Sequence, residues 1–146
     1  MNLQEIAKEN ISIFEGAITP PFPLKGDYRQ VEVFSPEGLD AQKRESLLKG
    51  LPTYENTEIE VNKLDTVASA KIYAEKGENV ASLNFASAIN QGGGFRHGSI
   101  AQEEDICRKS TLYASLKSEK ALEMYEFNRS FPSHYQPQLN SIWSDK

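Results

Sequence analysis

Cysteine is almost absent from this sequence. A single residue, Cys107, excludes an intrachain disulfide, leaves no thiolate cluster for a metal, and fits a reducing compartment. Clustered lysine and arginine are missing as well. The formal net charge is −5 and no basic patch stands out. That removes the general attraction on which DNA, RNA and anionic membrane surfaces depend. No window approaches the roughly 20 apolar residues of a membrane span. The N-terminal stretch MNLQEIAKENISIF interrupts its apolar residues with Glu5, Lys8 and Glu9, unlike a signal peptide. The expected location is therefore the cytoplasm, with neither DNA nor membrane as a partner. Glycine is scarce outside one region. Four of the nine glycines fall within residues 92–98, so that region is where a close approach to the main chain is expected.

What is present is the composition of a folded domain. With 38% apolar and 25% charged residues in 146 positions, the chain suits one domain with a buried core. Leu3, Ile6, Ala7, Asn10, Ile13 and Phe14 recur at helical spacing, which predicts a helix over 2–15 stopped by Gly16. Pro20, Pro21 and Pro23 then read as a covering segment. A strand is predicted over 30–34, and a helix follows to Lys49, with Ser35 as its cap and Pro36 at its first position. Residues 58–61 and 79–86 read as strands flanking a helix that Asp65 caps and Gly77 ends. This βαβ unit predicts parallel pairing and an α/β fold class. Residues 100–116 and 119–128 read as helices, and the tail from 131 as irregular. Three strands are too few for a covered α/β sheet. Either the tail pairs unrecognised, or further sheet lies beyond Lys146.

The glycines sit in NFASAINQGGGFRHGSIA, residues 84–101, where a strand passes into a helix, the usual ligand position in α/β proteins. The stretch has no carboxylate, and Arg96 is its only fixed charge. Gly92, Gly93 and Gly94 could offer backbone N–H groups to a diphosphate, or simply make a tight turn. The Walker A pattern fails because Phe95 and Arg96 follow the last glycine. GxGxxG fails because His97 occupies its last position, with Gly98 one place late. Ser99 and Gln102 form the pattern of a capping box. That places Glu103 and Glu104 one turn into the helix, with Glu103 in the arc of Ile100 and Cys107 and Glu104 at its edge. An acidic pair here either complements the helix dipole or is partly buried, and burial together with mutual repulsion would raise one carboxyl's pKa.

The segment NFASAINQGGGFRHGSIAQEEDICRKSTLYASL, residues 84–116, resembles the signature region of microbial-type poly(ADP-ribose) glycohydrolases, a glycine triplet followed by Gln-Glu-Glu after seven residues. The resemblance implies the N-terminal and partial core of a macrodomain-like α/β fold with a helical N-terminal extension. It divides the chain into an extension over 1–56 and a partial catalytic core over 57–146. It implies hydrolysis of ribose–ribose O-glycosidic bonds, with ADP-ribose or its polymer as the ligand and neither metal nor cofactor. In that scheme Glu104 is the catalytic acid and then the base, and Glu103 binds hydroxyls of the scissile ribose. Gly92, Gly93 and Gly94 line the diphosphate, and Phe95, Asn84, Asn90 and Gln102 complete the substrate site. Gln91 stands where many relatives carry proline.

The resemblance also implies chain beyond this point, with further strands, a second phosphate-facing loop and the adenine pocket. A fragment, a truncated product, or a short variant completed by a partner or by self-association through the incomplete sheet would each account for that. Three function classes therefore stand: a glycosidase, an inactive ADP-ribose-binding module, and an interaction protein whose sheet another chain completes. His97 is expected at the surface, His134 as structural, Cys107 as a packed thiol, and Tyr113 and Leu116 in the core. Ile142 and Trp143 are expected to pack only if more domain follows.

Overall fold

The computed structural model describes residues 2–21, 28, 30–34, 45–46, 48–130 and 141–144. Pro23, His134 and most of the helix expected before Lys49 lie outside them, although residues 45, 46 and 48 are helical.

Helix α1, Leu3–Phe14, begins with a capping box. The Glu5 N–H donates to Asn2 Oδ1 at 2.9 Å while the Asn2 N–H donates to Glu5 Oε2 at 2.8 Å. Ala7 is buried on its inner face, with Ile11 and Phe14 packed beside the core. Strand β1, Val31–Phe34, follows. Helix α2, Thr66–Glu75, is capped as expected by Asp65, which accepts from the Ala68 N–H at 2.8 Å. A short 3-10 turn, Phe95–His97, precedes α3, Gln102–Lys109. Helices α4, Leu112–Leu116, and α5, Glu119–Arg129, come next, and strand β2, Ser141–Ser144, ends the described chain.

The single helix expected over 100–116 is two helices. Ser110 lies between them in an extended conformation. Its hydroxyl donates back to the Ile106 carbonyl at 2.8 Å and accepts from the Leu112 N–H at 3.2 Å, so the side chain closes one helix and helps start the next. The tail contributes a strand where irregular chain was expected. β2 pairs antiparallel with β1, Val31 opposite Ser144 and Phe34 opposite Ser141.

The βαβ unit is not formed among the described residues. Segments 58–61 and 79–86 are neither paired nor covered, and α2 buries no residue. Ile59 and Val61 are 87% and 92% exposed, and Leu83 and Phe85 are 71% and 76% exposed. An alternating segment becomes a strand only when a ladder takes up its N–H and C=O groups and a layer covers its apolar face. Neither is supplied here.

The core lies elsewhere, where Ala7, Phe95, Cys107, Tyr113, Leu116, Met124 and Tyr125 form one buried cluster. Elements on both sides of residue 57 enter it. α1 packs on the 3-10 turn and α3, and β1 packs on α5. Phe95 and Tyr113 meet as tilted rings with centroids 4.8 Å apart, which seats the loop after the glycines on the helical cluster.

Candidate active site

The loop and the acidic pair expected to share a site do meet. The Gly92 N–H donates to Glu103 Oε1 at 3.1 Å and the Ser87 N–H to Glu103 Oε2 at 2.7 Å, so both Glu103 oxygens are held by main chain. The Gly94 N–H donates to Glu104 Oε1 at 2.7 Å. These are charge-assisted bonds to ionisable oxygens, the stronger kind. Glu103 and Glu104 are only 3% and 7% exposed.

This geometry explains the triplet. An added Cβ at Gly93 would strike Glu104 Oε1, and its φ of 55° is the left-handed one that glycine tolerates best. At Gly94 a Cβ would strike the Ser99 hydroxyl oxygen, with Ser99 Cβ 2.8 Å away. The glycines are needed because the loop lies directly against the acids and Ser99. The Gly92 and Gly94 N–H groups serve the glutamates, and the Gly93 N–H donates to the Asn90 carbonyl at 3.1 Å. All three amides thus have partners within the protein.

Phe95 is fully buried in the core. Gln102 is tied within the protein. Its Nε2 donates to Thr66 Oγ1 at 2.9 Å and to the Leu83 carbonyl at 3.1 Å, and its Oε1 accepts from the Phe85 N–H at 2.8 Å. The Ser99 cap does not form, since Ala101 takes the N-cap position without a side-chain bond. The Ser99 carbonyl instead accepts from Arg108 Nη1 at 2.7 Å. Asn90 and His97 are exposed. Asn84 Oδ1 is buried with no hydrogen-bond partner, an acceptor left open.

Electrostatics follow burial. Desolvation pushes the Glu103 carboxyl above its ordinary value and the charge of Glu104 adds to this, while the N–H bonds from Ser87 and Gly92 oppose it. Burial, reinforced by the charges of Glu103 and Glu104, pushes the Cys107 thiol up to about 12. A thiol so protonated is a packed side chain and not a nucleophile.

Several positioning residues carry no sequence motif. Asn128 Nδ2 donates to the Ala88 carbonyl at 2.8 Å and Arg129 Nη1 to the Ile89 carbonyl at 2.9 Å, which fixes the loop's entry to the end of α5. Gln4 Nε2 donates to the His97 carbonyl at 3.2 Å and Asn10 Nδ2 to the Arg108 carbonyl at 3.0 Å, bracing the loop's exit with α1. Polar residues on surface helices show no such purpose until the helices are docked. A separate cavity of about 390 Å³ lies between α2 and residues 80–82, lined in part by Asp65, Ser69, Tyr73 and Ser82. None of the loop or glutamate side chains lines it.

The family model for the microbial-type PARG catalytic domain matches residues 23–146. The chain belongs to that family. Among solved structures it is similar to poly(ADP-ribose) glycohydrolase (PARG) from Thermomonospora curvata, with 36% identity and a TM-score of 0.68 over 87% of this chain and 48% of that one. The same enzyme bound to the inhibitor ADP-HPD matches with 36% identity and a TM-score of 0.67 over 87% of this chain and 47% of that one. The chain thus spans about half the length of these relatives. No curated protein matches. The family span begins after α1, so the helix bracing the loop's exit lies outside it. Among the described residues no helix is long and apolar enough to cross a membrane, and no group of three or more His, Cys, Asp or Glu side chains could hold a metal.

Proposed function

We propose that this chain carries the acid–base centre of an ADP-ribose polymer glycohydrolase, with Glu104 as the proton-transfer group. The observation that supports this reading is the unequal use of the two acids. Both Glu103 oxygens accept main-chain N–H groups, whereas only Oε1 of Glu104 does. The one hydrogen bond that Glu104 accepts through its side chain among the described residues goes to Oε1. Gly94 therefore anchors one oxygen and leaves the other without a main-chain bond, as a proton donor needs.

The reaction follows from one such group. Protonated Glu104 gives its proton to the leaving ribose oxygen as the anomeric C–O bond breaks. The resulting carboxylate takes a proton from water, whose oxygen bonds to the anomeric carbon. Glu104 is then protonated again, and the products are ADP-ribose and a polymer one unit shorter. Adjacent residues of one helix do not flank a sugar as a separated carboxylate pair does, so a single group acting twice is the economical scheme. Glu103, held at both oxygens, orients the loop and presents whatever lone pairs remain to ribose hydroxyls. Asn90 and the open Asn84 acceptor are the remaining ribose contacts in this reading.

Replacing Glu104 with Gln keeps an acceptor for the Gly94 N–H and removes the transferable proton. Polymer hydrolysis should fall by about 10²–10⁴-fold while ADP-ribose binding persists. Turnover close to wild type would refute the role of Glu104. Wild-type chain that binds ADP-ribose without hydrolysing the polymer would favour a binding module, and no calorimetric heat with millimolar ADP-ribose would refute the ligand class.

A further inference from the structure

We propose that Gln102 is a positioning residue that stands in for a neighbouring β-strand at Asn84. The pattern of its bonds carries the inference. Its side-chain oxygen accepts from the N–H of Phe85, one residue after Asn84, and its side-chain nitrogen donates to the carbonyl of Leu83, one residue before. A single residue of an adjacent parallel strand makes this same pair of bonds, one to each side of the residue it faces. One primary amide supplies both, because it holds a donor and an acceptor in the plane of a peptide group. Segment 79–86 has the sequence of a strand and no ladder partner among the described residues. Gln102 supplies one rung.

The second N–H of the same amide reaches Thr66 Oγ1 at the first residue of α2. Gln102 is itself the first residue of α3. One side chain therefore ties together the strand-like segment, α2 and the helix bearing both acids. Its position next to Glu103 gives the tie a consequence for the site. The chain fixed at 83–85 runs on to Ser87, whose N–H holds Glu103 Oε2. Adjacent side chains on α3 thus grip the same segment two residues apart. The backbone at Asn84 is held from both sides, and this residue carries the buried, unpartnered Oδ1. The use of that acceptor by an ADP-ribose hydroxyl or amine rests on the function proposed above. The strand-like tie does not.

The test combines amide hydrogen exchange with ADP-ribose titration on the full chain. In Gln102→Ala the Phe85 N–H loses its acceptor and should exchange about tenfold faster or more, while the Gly92 and Gly94 amides stay near wild type. Gln102→Glu keeps an acceptor oxygen, so Phe85 should stay protected. Gln102→Met keeps the length and lacks the amide, and should match the alanine variant even if that one folds poorly. ADP-ribose affinity should fall about tenfold in Gln102→Met, through Asn84. Unchanged Phe85 exchange in both Ala and Met variants overturns the proposal. Lost affinity with unchanged exchange also overturns it, by making Gln102 a direct ligand contact. If wild type binds no ADP-ribose, the exchange pattern still decides the role of Gln102, and only the functional reading fails.

Discussion

Replacing Gly93 with Ala separates the two reasons a glycine can be required, and Gly16 provides the control. Both residues have positive φ, 55° at Gly93 and 76° at Gly16. At Gly16 an added Cβ meets nothing within 4 Å, so Gly16→Ala reports backbone strain alone, about 1–2 kcal/mol. At Gly93 the Cβ would also overlap Glu104 Oε1, with Glu104 Cδ at 3.1 Å and Glu103 Oε2 at 3.3 Å. The Glu104 carboxylate must then move off the Gly94 N–H. A hydrogen bond to a charged group contributes about 1.5–3 kcal/mol, so Gly93→Ala should cost about 2.5–5 kcal/mol in all.

Urea unfolding of the two variants beside wild type gives the comparison directly, since a change in midpoint at constant slope is a change in stability. Gly93→Ala should lose at least about 1.5 kcal/mol more than Gly16→Ala. Under the proposed function its hydrolytic rate should also drop by about a hundredfold, because a shift near 1 Å in a reacting group has that effect. Gly16→Ala should leave the rate unchanged. Equal stability losses in the two variants would refute the claim that the loop is glycine-rich in order to lie against the acids.

Three further outcomes follow from burial and charge. The Glu103 carboxyl is raised above 4.5, so its favourable contribution is fully present below that pH and is lost as pH rises through the higher folded value. Wild type should therefore lose urea stability relative to Glu103→Gln as pH rises above about 4.5, and a flat or opposite difference would contradict the buried position of Glu103. Cys107, with its thiol pushed up to about 12, should resist iodoacetamide in the folded chain and react on unfolding. Rapid labelling under native conditions would show the core to be open. The exposed Leu83 and Phe85 should drive concentration-dependent association of the chain, which the double change to Ser should reduce in sedimentation. Identical profiles would remove these side chains as its cause.

Local chemistry was legible without coordinates. Asp65 caps α2, the helix periodicity of 2–15 and 119–128 reappears as α1 and α5, and Cys107, Tyr113 and Leu116 are buried as their spacing indicates. The glycine triplet and the Gln-Glu-Glu run are brought together, as their short spacer requires. Each of these depends on neighbours within a turn or two of helix or a loop of seven residues, and such contacts are encoded by local order.

What tertiary structure decided is the use of each group. That the Gly92 and Gly94 amides meet the glutamates depended on where α3 docks. Phe95 became core because Tyr113 covers it, and Gln102 became a strand-like tie because the segment around Asn84 passes within reach. The strand character of 58–61 and 79–86 was evident from alternation, yet a ladder needs a partner and a covering layer from distant chain. A hydrogen-bonding group in a sequence has a capacity, and only the packing of remote segments settles which partner fills it.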